Sequence, residues 1–163
     1  MELAIISSGS NLGDRLSNLS KALNFVSNEI GEMDRISSVF QTSAWGKIDQ
    51  PNFLNQVFGV YSNLEPLKLM DKLLDIEQLM GRERVAKWGP RSIDLDLLYF
   101  GQIIIKEERL TLPHREIEIR RFVLTPLSEI YPNFNHPVLG INQKTLLQNC
   151  DDHGEVLVYK NSE

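Results

Sequence analysis

Ile93-Asp94-Leu95-Asp96-Leu97-Leu98-Tyr99-Phe100 opens with strict alternation of apolar and acidic residues, and that period of two predicts a strand. Side chains two apart on a strand share a face, so Ile93, Leu95 and Leu97 turn toward a core while Asp94 and Asp96 stand side by side on the opposite face. Upstream, Leu69, Met70, Leu73, Ile76 and Met80 form the apolar stripe of a helix that Pro66 opens and Gly81 ends. Phe53 to Tyr61, rich in aromatic and β-branched residues, predicts a strand, and Ile36 to Thr42 another, joined by a loop holding Trp45, Gly46 and Pro51. Further back, Leu16, Leu19, Leu23, Val26 and Ile30 recur at helical spacing, with Gly31 as a left-handed stop, and Leu3 to Ser7 predicts the first strand.

The order is strand, helix, strand, strand, helix, strand, which predicts an α+β fold: a ferredoxin-like βαββαβ sandwich. A C-terminal extension follows Gly101, with a hairpin, a short helix near Pro126 and irregular structure beyond Pro132. The chain shows no repeat or low-complexity linker, so residues 1–163 are expected to form one domain.

Of the 163 residues, 42% are hydrophobic and 24% charged, the balance of a globular protein. No apolar run is long enough to span a bilayer, and the apolar start reads as a buried strand rather than a signal peptide. The single cysteine, Cys150, rules out an internal disulfide and suits a reducing, cytoplasmic setting. The net charge of −5 opposes a general nucleic-acid binder. Yet Arg82, Arg84, Lys87, Arg91, Arg109, Arg115, Arg120 and Arg121 crowd the middle of the chain, a pattern that suits a small anionic ligand.

Two like charges side by side repel, and a cation relieves that repulsion. Magnesium commonly takes one or two carboxylates, leaving water and phosphate oxygens to fill its octahedron. The competing reading of Asp94 and Asp96 is an ordinary solvated strand face. The glycine- and proline-marked loop from Gly81 to Arg91 runs directly into this strand, and its arginines match phosphate oxygens; its alternative is a solvated basic loop paired with Glu83. Glu77 lies beside the apolar stripe of its helix, where periodicity favours a solvent-reaching rim over a site position. His114, in Leu112-Pro113-His114-Arg115, offers donors to phosphate or serves structure alone. No GxxxxGK[ST] loop is present, and Gly9-Ser10-Asn11-Leu12-Gly13-Asp14-Arg15 reads as a turn into the first helix. Phe53 and Asn55 share a strand face; a ring to stack and an amide to pair suit a planar heterocycle, with Phe122 as a second ring, though a core phenylalanine beside a polar strand end is the commoner arrangement and the one these residues by themselves favour.

Together these stretches resemble the 6-hydroxymethyl-7,8-dihydropterin pyrophosphokinase family of folate biosynthesis. The resemblance runs from Gly9-Ser10-Asn11-Leu12-Gly13 through Phe53-Leu54-Asn55, Gly81-Arg82-Glu83-Arg84 and the specific Trp88-Gly89-Pro90-Arg91-Ser92-Ile93-Asp94-Leu95-Asp96 block. It closes with Leu112-Pro113-His114 and Arg121-Phe122-Val123-Leu124-Thr125-Pro126-Leu127, covering about residues 3 to 132. It implies transfer of pyrophosphate from ATP to the pterin hydroxymethyl group, with AMP as co-product. It further implies Asp94 and Asp96 as ligands of two Mg2+ ions, and Arg82 and Arg91 as catalytic charges. Glu77, Arg84, Trp88, Arg109, Thr111, His114 and Arg120 are implied on the ATP side. Thr42, Trp45, Phe53, Asn55 and Phe122 are implied around the pterin. A cytoplasmic monomer is expected, with small-molecule partners and neither nucleic acid nor membrane. Two positions depart from the family pattern: Thr42-Ser43-Ala44-Trp45 replaces a proline-rich run, and Arg115 follows the histidine. A non-catalytic nucleotide sensor, an RNA-binding domain and a metal-dependent phosphohydrolase are the rival classes.

Overall fold

The structure, a computed structural model, describes residues 1–43, 51–81 and 92–160. Strands β1 (Glu2–Ser10), β2 (Glu32–Ile36), β3 (Phe40–Thr42), β4 (Phe53–Ser62), β5 (Asp94–Phe100) and β8 (Val156–Val158) form one sheet. Its order is β5-β1-β4-β3-β8, with β2 also paired to β4, and every pairing is antiparallel. Helix α1 (Arg15–Glu29) follows β1, and α2 (Pro66–Leu79) follows β4. The first and third predicted strands are thus central, the second and fourth flank them, and the ferredoxin-like expectation holds.

The helices form where their local chemistry starts and stops them. The Asp14 side chain accepts from the Ser17 N–H at 3.1 Å and caps α1, while Pro66 takes the first turn of α2, where no amide hydrogen is needed. Gly81 leaves α2 in a left-handed conformation, at φ 80°, as expected. Gly31 does not. It is kept small by contact, since a Cβ there would lie 1.9 Å from the Tyr61 carbonyl oxygen.

Three expected boundaries move. The turn read at Gly9-Ser10 belongs to β1, which runs on to Ser10 because β4 and β5 pair with it on both sides. The single strand expected over Ile36 to Thr42 is two, broken at Ser37, whose hydroxyl accepts from the Val57 N–H at 2.9 Å and shifts the register. The region beyond Pro132, expected to be irregular, holds α4 (Gln143–Gln148) and β8, which adds to the sheet beside β3. Before it come the predicted hairpin, β6 (Ile105–Lys106) with β7 (Thr111–Leu112), and helix α3 (Arg121–Ile130) around Pro126.

The extension supplies a third layer. Leu19, Ala22 and Val26 of α1 and Leu69, Leu73 and Ile76 of α2 pack on one sheet face with Ile6, Leu54, Phe58, Leu95 and Leu97. On the other face, Val123, Leu124, Leu127 and Ile130 of α3 and Leu146 of α4 cover Ile5, Val57, Leu98 and Tyr99. An irregularity between β1 and β5 pairs Ile5 with Tyr99 but Ile6 with Leu97. The extra residue lets Leu98 and Tyr99 both meet the α3 layer, while Asp94 and Asp96 keep the alternation. The C-terminal end of α3 is tied down by Tyr131 Oη donating to Asp34 at 2.7 Å and by Arg35 donating to the Ile130 carbonyl at 2.8 Å. Among the described residues no helix is long and apolar enough to cross a membrane.

Candidate active site

A cleft of about 660 Å3 opens where the β1, β4 and β5 strands present polar residues beyond the edge of the α3 layer. The pairing register builds its floor. Gly9 lies opposite Asp94 on one side and Asn55 on the other, and Ser7 lies between Asp96 and Val57. Directly paired residues of antiparallel strands project to the same face, so the carboxylates and the amide line one surface. All expected site residues that fall among the described ones line this cleft: Thr42, Phe53, Asn55, Glu77, Asp94, Asp96, Arg109, Thr111, His114, Arg120 and Phe122. Arg82, Arg84, Trp88, Arg91 and Trp45 lie outside the described residues.

At one end the groups are neutral. Asn55, 8% exposed, donates from Nδ2 to Thr42 Oγ1 at 2.7 Å, which orients its amide and leaves its carbonyl oxygen as an acceptor. Phe53 sits two residues before Asn55 on the same face of β4, and Phe122 stands at the start of α3. At the other end the groups are charged. Asp94 and Asp96 are half-buried on the outer strand, and Glu77 reaches that strand from α2. Its Oε2 accepts the Leu95 N–H at 2.8 Å, an amide that would otherwise be a bare sheet-edge donor. Glu77 is only 3% exposed, so the solvent-reaching rim that periodicity favours is wrong. A helix wheel shows which face a residue takes, whereas the strand amide that rewards burial is invisible to it.

Cations line the same cleft. Arg120 pairs with Glu116 and its guanidinium carbon lies 5.8 Å from the Phe122 ring centroid. Arg109 pairs with Asp71 at 2.7 Å, both largely exposed. His114 is held against β5 by its backbone N–H, which donates to the Leu98 carbonyl at 2.9 Å. Its Nδ1 lies against the Arg115 carbonyl, so that nitrogen carries the hydrogen. Among the lining residues that sequence reasoning missed, Ser7 and Gly9 lie on the cleft floor, and Glu108 and Arg115 add charge at its edge. The first two are found by strand register, which no local pattern reveals.

Whether a metal suits the acidic end is a matter of donor chemistry. Among the described residues no three His, Cys, Asp or Glu side chains cluster as a metal cage. Magnesium on a polyphosphate needs no cage: one or two carboxylates suffice, and water and phosphate oxygens complete its shell. Asp94 and Asp96 on one face of β5 fit that demand.

An antiparallel α+β sandwich with paired carboxylates, cations and an aromatic–amide cradle in one cleft has the parts that phosphoryl-group transfer to a flat acceptor requires. The family model described as 7,8-dihydro-6-hydroxymethylpterin-pyrophosphokinase (HPPK) matches residues 5–132, and the chain belongs to this family. The 2-amino-4-hydroxy-6-hydroxymethyldihydropteridine pyrophosphokinase of Aquifex aeolicus is 42% identical over 130 residues, covering 80% of this chain and 81% of the relative. That of Haemophilus influenzae is 41% identical over 131 residues, covering 80% and 82%. A bifunctional protein, FolKE of Lactococcus lactis, is 37% identical over 134 residues, which cover 82% of this chain but 38% of the relative. Among solved structures, wild-type Plasmodium falciparum HPPK-DHPS superposes with a TM-score of 0.71 over 90% of this chain and 43% of that one. At 17% identity that likeness concerns the fold alone.

Proposed function

We propose that this chain transfers a pyrophosphoryl group from ATP to the hydroxymethyl oxygen of 6-hydroxymethyl-7,8-dihydropterin, as one domain over residues 1–163. The observation that carries this reading is that the Thr42–Asn55 amide end and the Asp94–Asp96 acidic end line one cleft. The pterin ring lies between Phe53 and Phe122, with Asn55 and Thr42 pairing its amide-like edge, and the family resemblance assigns Trp45 to the pterin as well. ATP lies toward Glu77, Arg109, Thr111, His114 and Arg120, with Arg84 and Trp88 from the preceding loop.

In this pose the hydroxymethyl oxygen attacks the β-phosphorus of ATP. The new oxygen–phosphorus bond forms as the bond from the β-phosphorus to the bridging oxygen of AMP breaks, and the hydroxyl proton is released. Asp94 and Asp96 would hold two Mg2+ ions, whose chemistry when bound is to neutralise triphosphate charge. His114 and Arg120 fix the phosphates in line with the acceptor, and Arg82 and Arg91 add positive charge as charge develops. Glu77 holds the β5 edge and so the spacing of the two aspartates. Phosphoryl transfer relies on positioning and electrostatics, so a strong general base is not required. A cytoplasmic monomer acting on small molecules suits the lone Cys150 and the acidic net charge of −5.

Product analysis tests this. Purified protein with ATP, Mg2+ and the pterin is expected to release AMP only when pterin is present. ADP as product, or nucleotide loss without pterin, would overturn the acceptor assignment. ATP binding without any product would point to a sensor.

A further inference from the structure

Gly9 sits in the middle of a row that crosses the sheet from Asp94 through Gly9 to Asn55. Neighbouring strands are about 4.8 Å apart, so the acidic and amide strands lie about 10 Å from each other with β1 between them. On that strip the only side chain missing is the one at Gly9. Nothing in the backbone demands glycine there, because Gly9 is not among the residues with positive φ and it pairs on both sides as an ordinary ladder residue. Glycine also weakens a strand interior. The reason for it lies in what a side chain would meet. A Cβ at Gly9 would stand 3.0 Å from Asn55 Oδ1 and 3.5 Å from Phe53 Cδ1, with the Leu54 carbonyl oxygen next at 3.8 Å. The two tightest contacts are both with residues of the acceptor end. Asn55 has little room to yield, since its Nδ2 is held by Thr42 Oγ1 at 2.7 Å.

We propose that Gly9 is a specificity-determining residue: its bare backbone keeps open the strip on which a flat bicyclic acceptor lies, with its amide edge at Asn55 and its reacting hydroxymethyl group toward Asp94. This rests on the pterin placement proposed above. A methyl group at Gly9 narrows the strip and turns the Asn55 carbonyl, while leaving the nucleotide end as it is. Position 9 therefore trades strand stability for acceptor fit.

Gly9→Ala is the test, with Asn55→Ala measured beside it. The expected result is a pterin KM raised about tenfold or more, in the range a single misplaced methyl produces in a tight pocket. The KM for ATP stays within about twofold, and the melting temperature is unchanged or higher. A purely structural role would move both KM values together or lower the melting temperature, and either outcome overturns the proposal. A pterin KM unchanged in Gly9→Ala but raised in Asn55→Ala would sink the role of Gly9 and leave the pterin placement standing. No change in either variant would remove both.

Discussion

The two ends of the cleft are built on opposite plans. At the amide end, Asn55 and Thr42 are buried and the bond between them fixes the Asn55 amide, so the surface that meets a ligand is already arranged. At the acidic end, Asp94 and Asp96 are half-buried on an outer strand, and the flanking Arg109 and Asp71 are largely exposed. A neutral planar ligand is recognised by shape and by a few oriented hydrogen bonds, which reward rigidity. A polyphosphate is recognised by charge, and its binding groups must remain hydrated until it arrives. The contrast teaches that one sheet can hold a preformed pocket and a charged landing site side by side, because alternate strands supply them.

The sharpest way to break this contrast is Asp96→Ala. Loss of charge stabilisation worth several kcal/mol should lower kcat/KM about a thousandfold. The pterin dissociation constant, measured by fluorescence titration, should stay within about twofold if the two ends act separately. Collapse of pterin binding in this variant would show the ends to be one unit.

Asn55→Ala addresses the other end. Losing oriented hydrogen bonds worth about 1.5–3 kcal/mol should raise the pterin KM about 10–100-fold, with the KM for ATP held. A comparable rise for ATP in steady-state assays would erase the distinction.

Glu77 asks how far the acidic end depends on the fold. In Glu77→Ala the Leu95 N–H loses its acceptor at a buried position, and thermal unfolding should show a loss of about 1–3 kcal/mol. Glu77→Gln retains an acceptor and should recover most of that loss. Equal destabilisation by both would mean that the carboxylate charge, rather than the hydrogen bond, holds β5.

The smallest effect is expected at the rim. The Arg109–Asp71 pair is 60% and 47% exposed, so Arg109→Ala should change stability by no more than about 0.5 kcal/mol. Its KM for ATP should rise a few-fold and converge on wild type at high salt, where screening weakens exposed charges. A large loss of stability would contradict the picture of a solvated landing site.

What could be read without coordinates followed the periodicities. The alternation at Ile93–Leu97 predicts both the strand and the shared face of Asp94 and Asp96, and the stripe from Leu69 to Met80 predicts α2. These signals are local, so they survive in the linear chain. Ser37 shows where locality fails: its hydroxyl replaces a ladder acceptor for Val57, twenty residues away, and splits a strand that composition alone would draw as one. Gly31 shows the same, since its size answers to the Tyr61 carbonyl rather than to a turn. β8 is a short apolar run, Val156-Leu157-Val158, β-branched at both ends, but which strand it joins follows from its pairing with β3, more than a hundred residues back in the chain.

The chemistry of the residues, their alternation along each strand and the family resemblance were therefore contained in the sequence by itself. Tertiary structure alone decided which strand lies beside which. That register brings Gly9 between Asp94 and Asn55 and lets Glu77 reach the Leu95 amide, because hydrogen-bonded pairing joins residues that no spacing along the chain connects.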